Sequence, residues 1–256
     1  MTHTQHTLSK LWQARNATLL VHAAQTLFAL GMAWPVASQA VPGTTPPAIG
    51  LVTFDALSAA LRAVGLYGLV MFVCSPALCM LWLAALTQTA SLPELTRRAL
   101  SQYGTALRVT LLCLGGAVFA SAAGCGVFVI VHRALNLSHD ARLQDLAALG
   151  VAFVPVGSAV AYFATLHDCA YAAVALGVPN ARAALQLGHA ATTSRALGLR
   201  VGSAALALAL FGLGAFAPPL LAQALALAIT LTRGAWLARA ASHVSESIWR
   251  SESCRS

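Results

Sequence analysis

The chain has 256 residues, of which 59% are hydrophobic and only 9% charged, against roughly 45–50% apolar and about 25% charged for soluble domains. So few charges cannot cover the surface of a water-soluble fold of this length, and the composition calls for hydrocarbon as the surrounding solvent. The net charge of +8 does not read as nucleic-acid binding, because the basic residues stand singly or in pairs between long apolar runs, with no basic stripe or basic–aromatic platform.

A span needs about 20 helical residues to cross roughly 30 Å of hydrocarbon. Residues 1–16 read as a cytoplasmic N-terminal segment, and 17–34 as the first span. That run also resembles a signal peptide: Lys10 and Arg15 precede it, and VASQA, ending at Ala40, follows it. Its length, and the His22 and Gln25 within it, favour a retained span. Four prolines make 35–57 a semi-rigid outer connection, in which 55–62, DALSAALR, is expected to form a short helix along the outer face. The second span is 64–86, the third 109–131, and between them LPELTRRAL (92–100) forms an inner loop. The polar stretch 133–145 is an outer loop. The fourth span is 146–168, its helix continuing to about Leu176, and VPNARAAL (178–185) is the next inner loop. The fifth span, 197–217, and the sixth, 220–240, are separated only by Pro218 and Pro219, which predicts antiparallel neighbours. Residues 241–256 read as a cytoplasmic tail. The fold class expected is therefore an all-α integral membrane bundle of six spans, with short interfacial helices on the cytoplasmic side.

Short loops rich in Lys and Arg stay in the cytoplasm. With the N-terminus inside, twelve of the fifteen basic residues fall on inner segments, and only Arg62, Arg133 and Arg142 fall outside. Both termini are accordingly placed inside. Trp34, Trp82 and Trp236 are expected at the two membrane interfaces. The bias of Arg over Lys, together with the abundance of Ala and Leu, fits a GC-rich bacterial coding sequence and an inner-membrane location.

The two inner loops share [LV]-P followed by Arg-x-Ala-Leu, and each follows a span with a central proline, Pro76 or Pro155. Spans two and three then match spans four and five as a parallel duplication, with chance similarity in Ala/Leu-rich sequence as the alternative. Each loop proline is expected to open a short amphipathic helix. Arg98, Arg182 and Arg195 would meet anionic phospholipid headgroups while Leu95, Leu100, Leu185 and Leu187 enter the bilayer interface; a solvated basic loop is the alternative for the second. Helix pairing in lipid relies on close approach at small residues, so Gly116 and Gly124 on the third span, and Gly198 and Gly202 on the fifth, are expected to face neighbouring helices.

The stretch HDC at 167–169 stands out in apolar surroundings. At the inner end of the fourth span, Asp168 is predicted to pair with Arg233 of the sixth, with Arg239 as the alternative partner. Convergence of His22, His167, Asp168 and Cys169 would suit zinc or iron, but residues 167, 168 and 169 point in different directions from one helix. No H-E-x-x-H, G-x-S-x-G or phosphate loop occurs, and intramembrane carboxylates are too few for acid–base chemistry. The cysteines fall mostly in apolar segments, where a disulfide framework is not expected.

LPELTRRAL, HDCAYAAVALGVPNARAAL and the last span with Arg233 resemble uncharacterised bacterial multi-span proteins similar to the membrane domain found beside glycerophosphodiester phosphodiesterases. That group tends to show Asp-x-Ala-Arg at a span end; here Asp168 and Ala170 match and Tyr171 replaces the Arg. The resemblance covers about 80–200 and implies no catalytic residues. The functional expectation is a membrane scaffold or accessory subunit without enzyme activity or cofactor, partnered by lipid and by another protein or a second copy. The alternatives are a permease component with a site near Pro76 and Pro155, and an intramembrane metal- or haem-dependent enzyme.

Overall fold

A computed structural model describes residues 3–37, 54–134, 141–215 and 217–253. They form α1 (His3–Gln13), α2 (Arg15–Ala37), α3 (Phe54–Thr87), α4 (Leu92–Ala134), α5 (Ala141–Ala175), α6 (Ala181–Ala191), α7 (Ser194–Ala215) and α8 (Pro219–Ser253), with no strand among the described residues. A chain in hydrocarbon must satisfy its backbone internally, which a helix does. Among the described residues, four helices are long and apolar enough to cross a membrane, over Gly68–Thr87, Leu92–Ile130, Ser194–Gly214 and Pro219–Trp249. The first and fourth expected spans lie in α2 and α5. The end of the signal-like segment at Ala40 lies outside the described residues.

Several expected boundaries move. DALSAALR is not a separate surface helix, because α3 begins at Phe54 and continues through Pro76 to Thr87. Likewise 92–100 is the start of α4 and not an independent interfacial helix. α4 runs 43 residues, about 65 Å at 1.5 Å per residue. That is twice the roughly 30 Å of hydrocarbon, so its first turns project beyond it. The physical reason is that nothing stops the helix: after Pro93, Gly104 is the only glycine or proline before the span, and one glycine costs only about 1 kcal/mol. The corresponding second loop does break, giving α6, which ends at Thr192 with non-helical backbone angles. The two proposed repeat units thus differ at this point. Beyond residue 240, α8 continues to Ser253. Ala240, Ala241 and Val244 are buried there and Ile248 packs on the core, which makes a helical stripe.

α6 turns its small-residue face into the bundle. Ala181, Ala184, Gly188 and Ala191 are buried where the helix crosses α5 and α8. Of the leucines expected in the bilayer interface, Leu95 is buried, Leu185 and Leu187 pack on the core, and only Leu100 is exposed. The approach to α6 is set locally. Gly177 takes a positive φ of 104°, its N–H reaches the Val174 carbonyl at 2.9 Å, and the Val178 N–H reaches Ala173 at 3.1 Å. These two bonds close α5 in a Schellman motif. Asn180 then caps α6, accepting from the Ala183 N–H at 2.7 Å.

The packed core occupies one end of the bundle. It gathers Met80–Leu86 of α3, Val109 of α4, Cys169–Ala175 of α5 and Trp236–Ala238 of α8, with Ala14, Ala17 and Val21 from the α1–α2 junction. Toward the other end the flanks are bare: only 11% of the apolar stretch of α4 and 6% of that of α7 is buried. Gly116 and Gly124 of α4 face α5, where an added Cβ would collide with Phe163 and with Val156 respectively. Gly198 and Gly202 do not behave that way. A Cβ on either meets no atom within 4 Å, so the expected packing of that stripe on a neighbouring helix of the same chain is corrected.

A buried carboxylate hub and the cavity beside it

Asp168 lies about two turns from the end of α5 and is 1% exposed. A carboxylate in such surroundings is costly unless it is paired and hydrogen-bonded. Arg233 of α8 supplies a two-pronged pair, Nη1 donating to Oδ2 at 2.6 Å and Nη2 to Oδ1. Arg200 of α7 donates from Nε to Oδ2 at 3.0 Å, and the Trp236 indole N–H donates to the same oxygen at 2.7 Å. His167 Nδ1 stands 3.3 Å from Oδ1. Five donor contacts exceed the roughly four lone-pair sites of a carboxylate, so Asp168 is consumed by cross-bracing. On its other side His167 Nε2 lies 3.3 Å from Thr110 Oγ1, which also pairs with the Tyr171 hydroxyl. The hub therefore joins α4, α5, α7 and α8.

Arg239, the alternative expected partner, is not among the groups that bond Asp168. Arg200 and Trp236 are partners that the sequence reading does not assign. Arg200 was open to detection: a guanidinium inside an apolar span calls for a partner, and Asp168 is the carboxylate within reach. Trp236 lies three residues from Arg233, on the same helix face. Neither Trp82 nor Trp236 anchors the membrane interface as expected. Each is 2% exposed, because an indole N–H inside a bundle can serve a buried acceptor. Trp82 donates to Thr18 Oγ1 at 3.0 Å, tying α3 to α2. Trp236→Phe removes the donor and, because benzene is smaller than indole, also leaves a cavity, so it is expected to cost more than the about 1.5 kcal/mol at the lower end for a bond to a charged group. The thermal midpoint in detergent checks this; an unchanged midpoint would show the bond contributes nothing.

A second polar network lies one helix away. His22 Nδ1 is 3.2 Å from Thr230 Oγ1, and Thr230 reaches Gln25 Oε1 at 3.4 Å. His22 is thus engaged on α8, away from His167. Among the described residues no three His, Cys, Asp or Glu side chains are placed to share a metal ion, and the convergence of His22 with residues 167–169 is not formed. Between the two networks α2, α3, α5 and α8 enclose a cavity of about 190 Å³, whose polar lining comes from Gln25, Ser75, His167, Tyr171 and Arg233. Pro76 adjoins it. The proline removes one helix hydrogen bond, and Tyr103 of α4 donates to the nearby Val73 carbonyl at 2.9 Å. Pro155 is exposed and does not line the cavity.

Arg98, Arg182 and Arg195 are all exposed, on α4, α6 and α7; Arg98 also bonds Gln88 Oε1. Comparison with protein-family models, with characterised proteins and with solved structures finds no match.

Proposed function

We propose that the chain is a six-span protein of the bacterial inner membrane, with both termini cytoplasmic, acting without catalysis of its own as a membrane scaffold or accessory subunit. The observation that carries this reading is how the buried polar groups are used. Asp168 is saturated by donors from three helices, which fixes helices against one another and leaves this carboxylate without a free lone pair for a proton or a substrate. The flanks of α4 and α7 remain bare, with room for lipid, another subunit or a second copy. The likeness to a membrane domain that accompanies phosphodiesterases fits the same reading, and Arg98, Arg182 and Arg195 are suited to anionic headgroups.

The test is the mass of the assembly extracted in native-lipid discs. A complex larger than one chain plus lipid is expected, and Gly202→Leu is expected to reduce it without lowering the melting temperature of the isolated chain. A single chain in every preparation would contradict the reading.

The cavity beside Pro76 favours a second reading, a permease component. A variant retaining only Cys79, which lines that cavity, separates the two. Labelling by a water-soluble thiol reagent in sealed vesicles supports passage through the cavity, and protection supports the scaffold.

A further inference from the structure

The hub carries two guanidiniums for one carboxylate, so one positive charge is unbalanced. Arg233 turns both terminal nitrogens to Asp168. Arg200 engages Asp168 through Nε alone, and its two terminal nitrogens have no partner among the described residues. Its side chain is 21% exposed and opens into a long apolar groove between α5 and α7, of about 620 Å³. Gly157, Ala161 and Ala164 of α5 and Ala204 of α7 keep this groove open, while Leu197 and Val201 flank it. From the level of Arg200 it runs along α5 from Ala164 to Val154, about 15 Å at 1.5 Å per residue. That is the depth of one leaflet of a roughly 30 Å core.

We infer that this groove is a specific site for one anionic phospholipid of the cytoplasmic leaflet. Its phosphate pairs with the free end of Arg200 and one acyl chain lies along α5 and α7. The fork of the guanidinium matches phosphate oxygens, and the lipid supplies the counter-charge the hub lacks. A long side chain near a helix end reaches the headgroup level by snorkelling. The inference rests on the membrane reading above.

The test is native mass spectrometry of the full chain released from nanodiscs made of phosphatidylglycerol and phosphatidylcholine in equal parts. One phosphatidylglycerol per chain is expected to survive release, preferred over phosphatidylcholine by about fivefold, the effect of one basic residue at an anionic surface. Arg200→Gln should bring the preference to parity, as should Ala161→Phe, which fills the groove without touching a charge. Arg62→Gln, exposed on α3 and not among the residues that line the groove, should retain it. If Arg200→Gln fails to fold, Ala161→Phe carries the test. Equal retention of both lipids by the unaltered chain, or a preference that survives Ala161→Phe, overturns the site. Failure to enter discs at all would instead overturn the membrane reading.

Discussion

Asp168→Asn is expected to destabilise the bundle by about 3–5 kcal/mol, the range for removing one member of a buried ion pair. The substitution keeps the shape of the side chain, so the loss is electrostatic: two guanidiniums remain in a packed site with no counter-charge. Thermal midpoints in detergent for Asp168→Asn, Arg233→Gln and Arg200→Gln rank the contributions. Arg233→Gln is expected to cost more than Arg200→Gln, because it forfeits two charge-assisted bonds where Arg200 has one. The same geometry alters the outcome of a charge swap. Asp168→Arg with Arg233→Asp would restore a simple pair, but here the new arginine also faces Arg200 and the like charges repel. Recovery should therefore be partial, and adding Arg200→Gln should improve it. Full recovery by the swap alone would mean that Arg200 contributes nothing to the hub.

The second large effect concerns glycine. A Cβ on Gly188 would lie 2.9 Å from the Ala170 backbone nitrogen and 3.1 Å from its Cα. Backbone cannot rotate aside as a side chain can, so Gly188→Ala must push α6 off α5, two residues from Asp168. The expected cost is at the upper end of the roughly 1–3 kcal/mol typical of overpacking. Gly202→Ala is the contrast. No atom lies within 4 Å of its Cβ position, and alanine is favoured over glycine in a helix by about 1 kcal/mol. The isolated chain should become slightly more stable. Thermal unfolding of the two variants side by side checks both; equal effects would contradict the packing described for α5 and α6.

What the sequence makes legible follows from which physical signal is local. Apolar runs of span length locate the helices, because only hydrocarbon selects for them. Asp168 and Arg233 can be matched because each is a lone charge at similar depth in such a run. Gly116 and Gly124 fit the same logic of close approach. Other features depend on what stands opposite. A stripe such as Gly198 and Gly202 tells that something can approach closely, but not whether the neighbour belongs to the same chain. An amphipathic basic start such as 92–100 reads as a surface helix, yet its fate depends on whether anything interrupts it before the span. Tryptophans near span ends fit the aromatic belt, while Trp82 and Trp236 are drawn inward by acceptors on other helices. Arg200 is counted among inner-side charges by the topology rule, and only the location of Asp168 turns it into a member of the hub.

The central claim is that the packed hub anchors helices whose remaining length lies in hydrocarbon. Spin labels on Phe119→Cys of α4 and Leu208→Cys of α7, positions 77% and 72% exposed, test it most directly in reconstituted vesicles. Molecular oxygen, which concentrates in lipid, is expected to relax both labels strongly, and a water-soluble nickel complex is expected to leave them unaffected. Strong relaxation by the nickel complex at both positions would place these flanks in water and contradict the account.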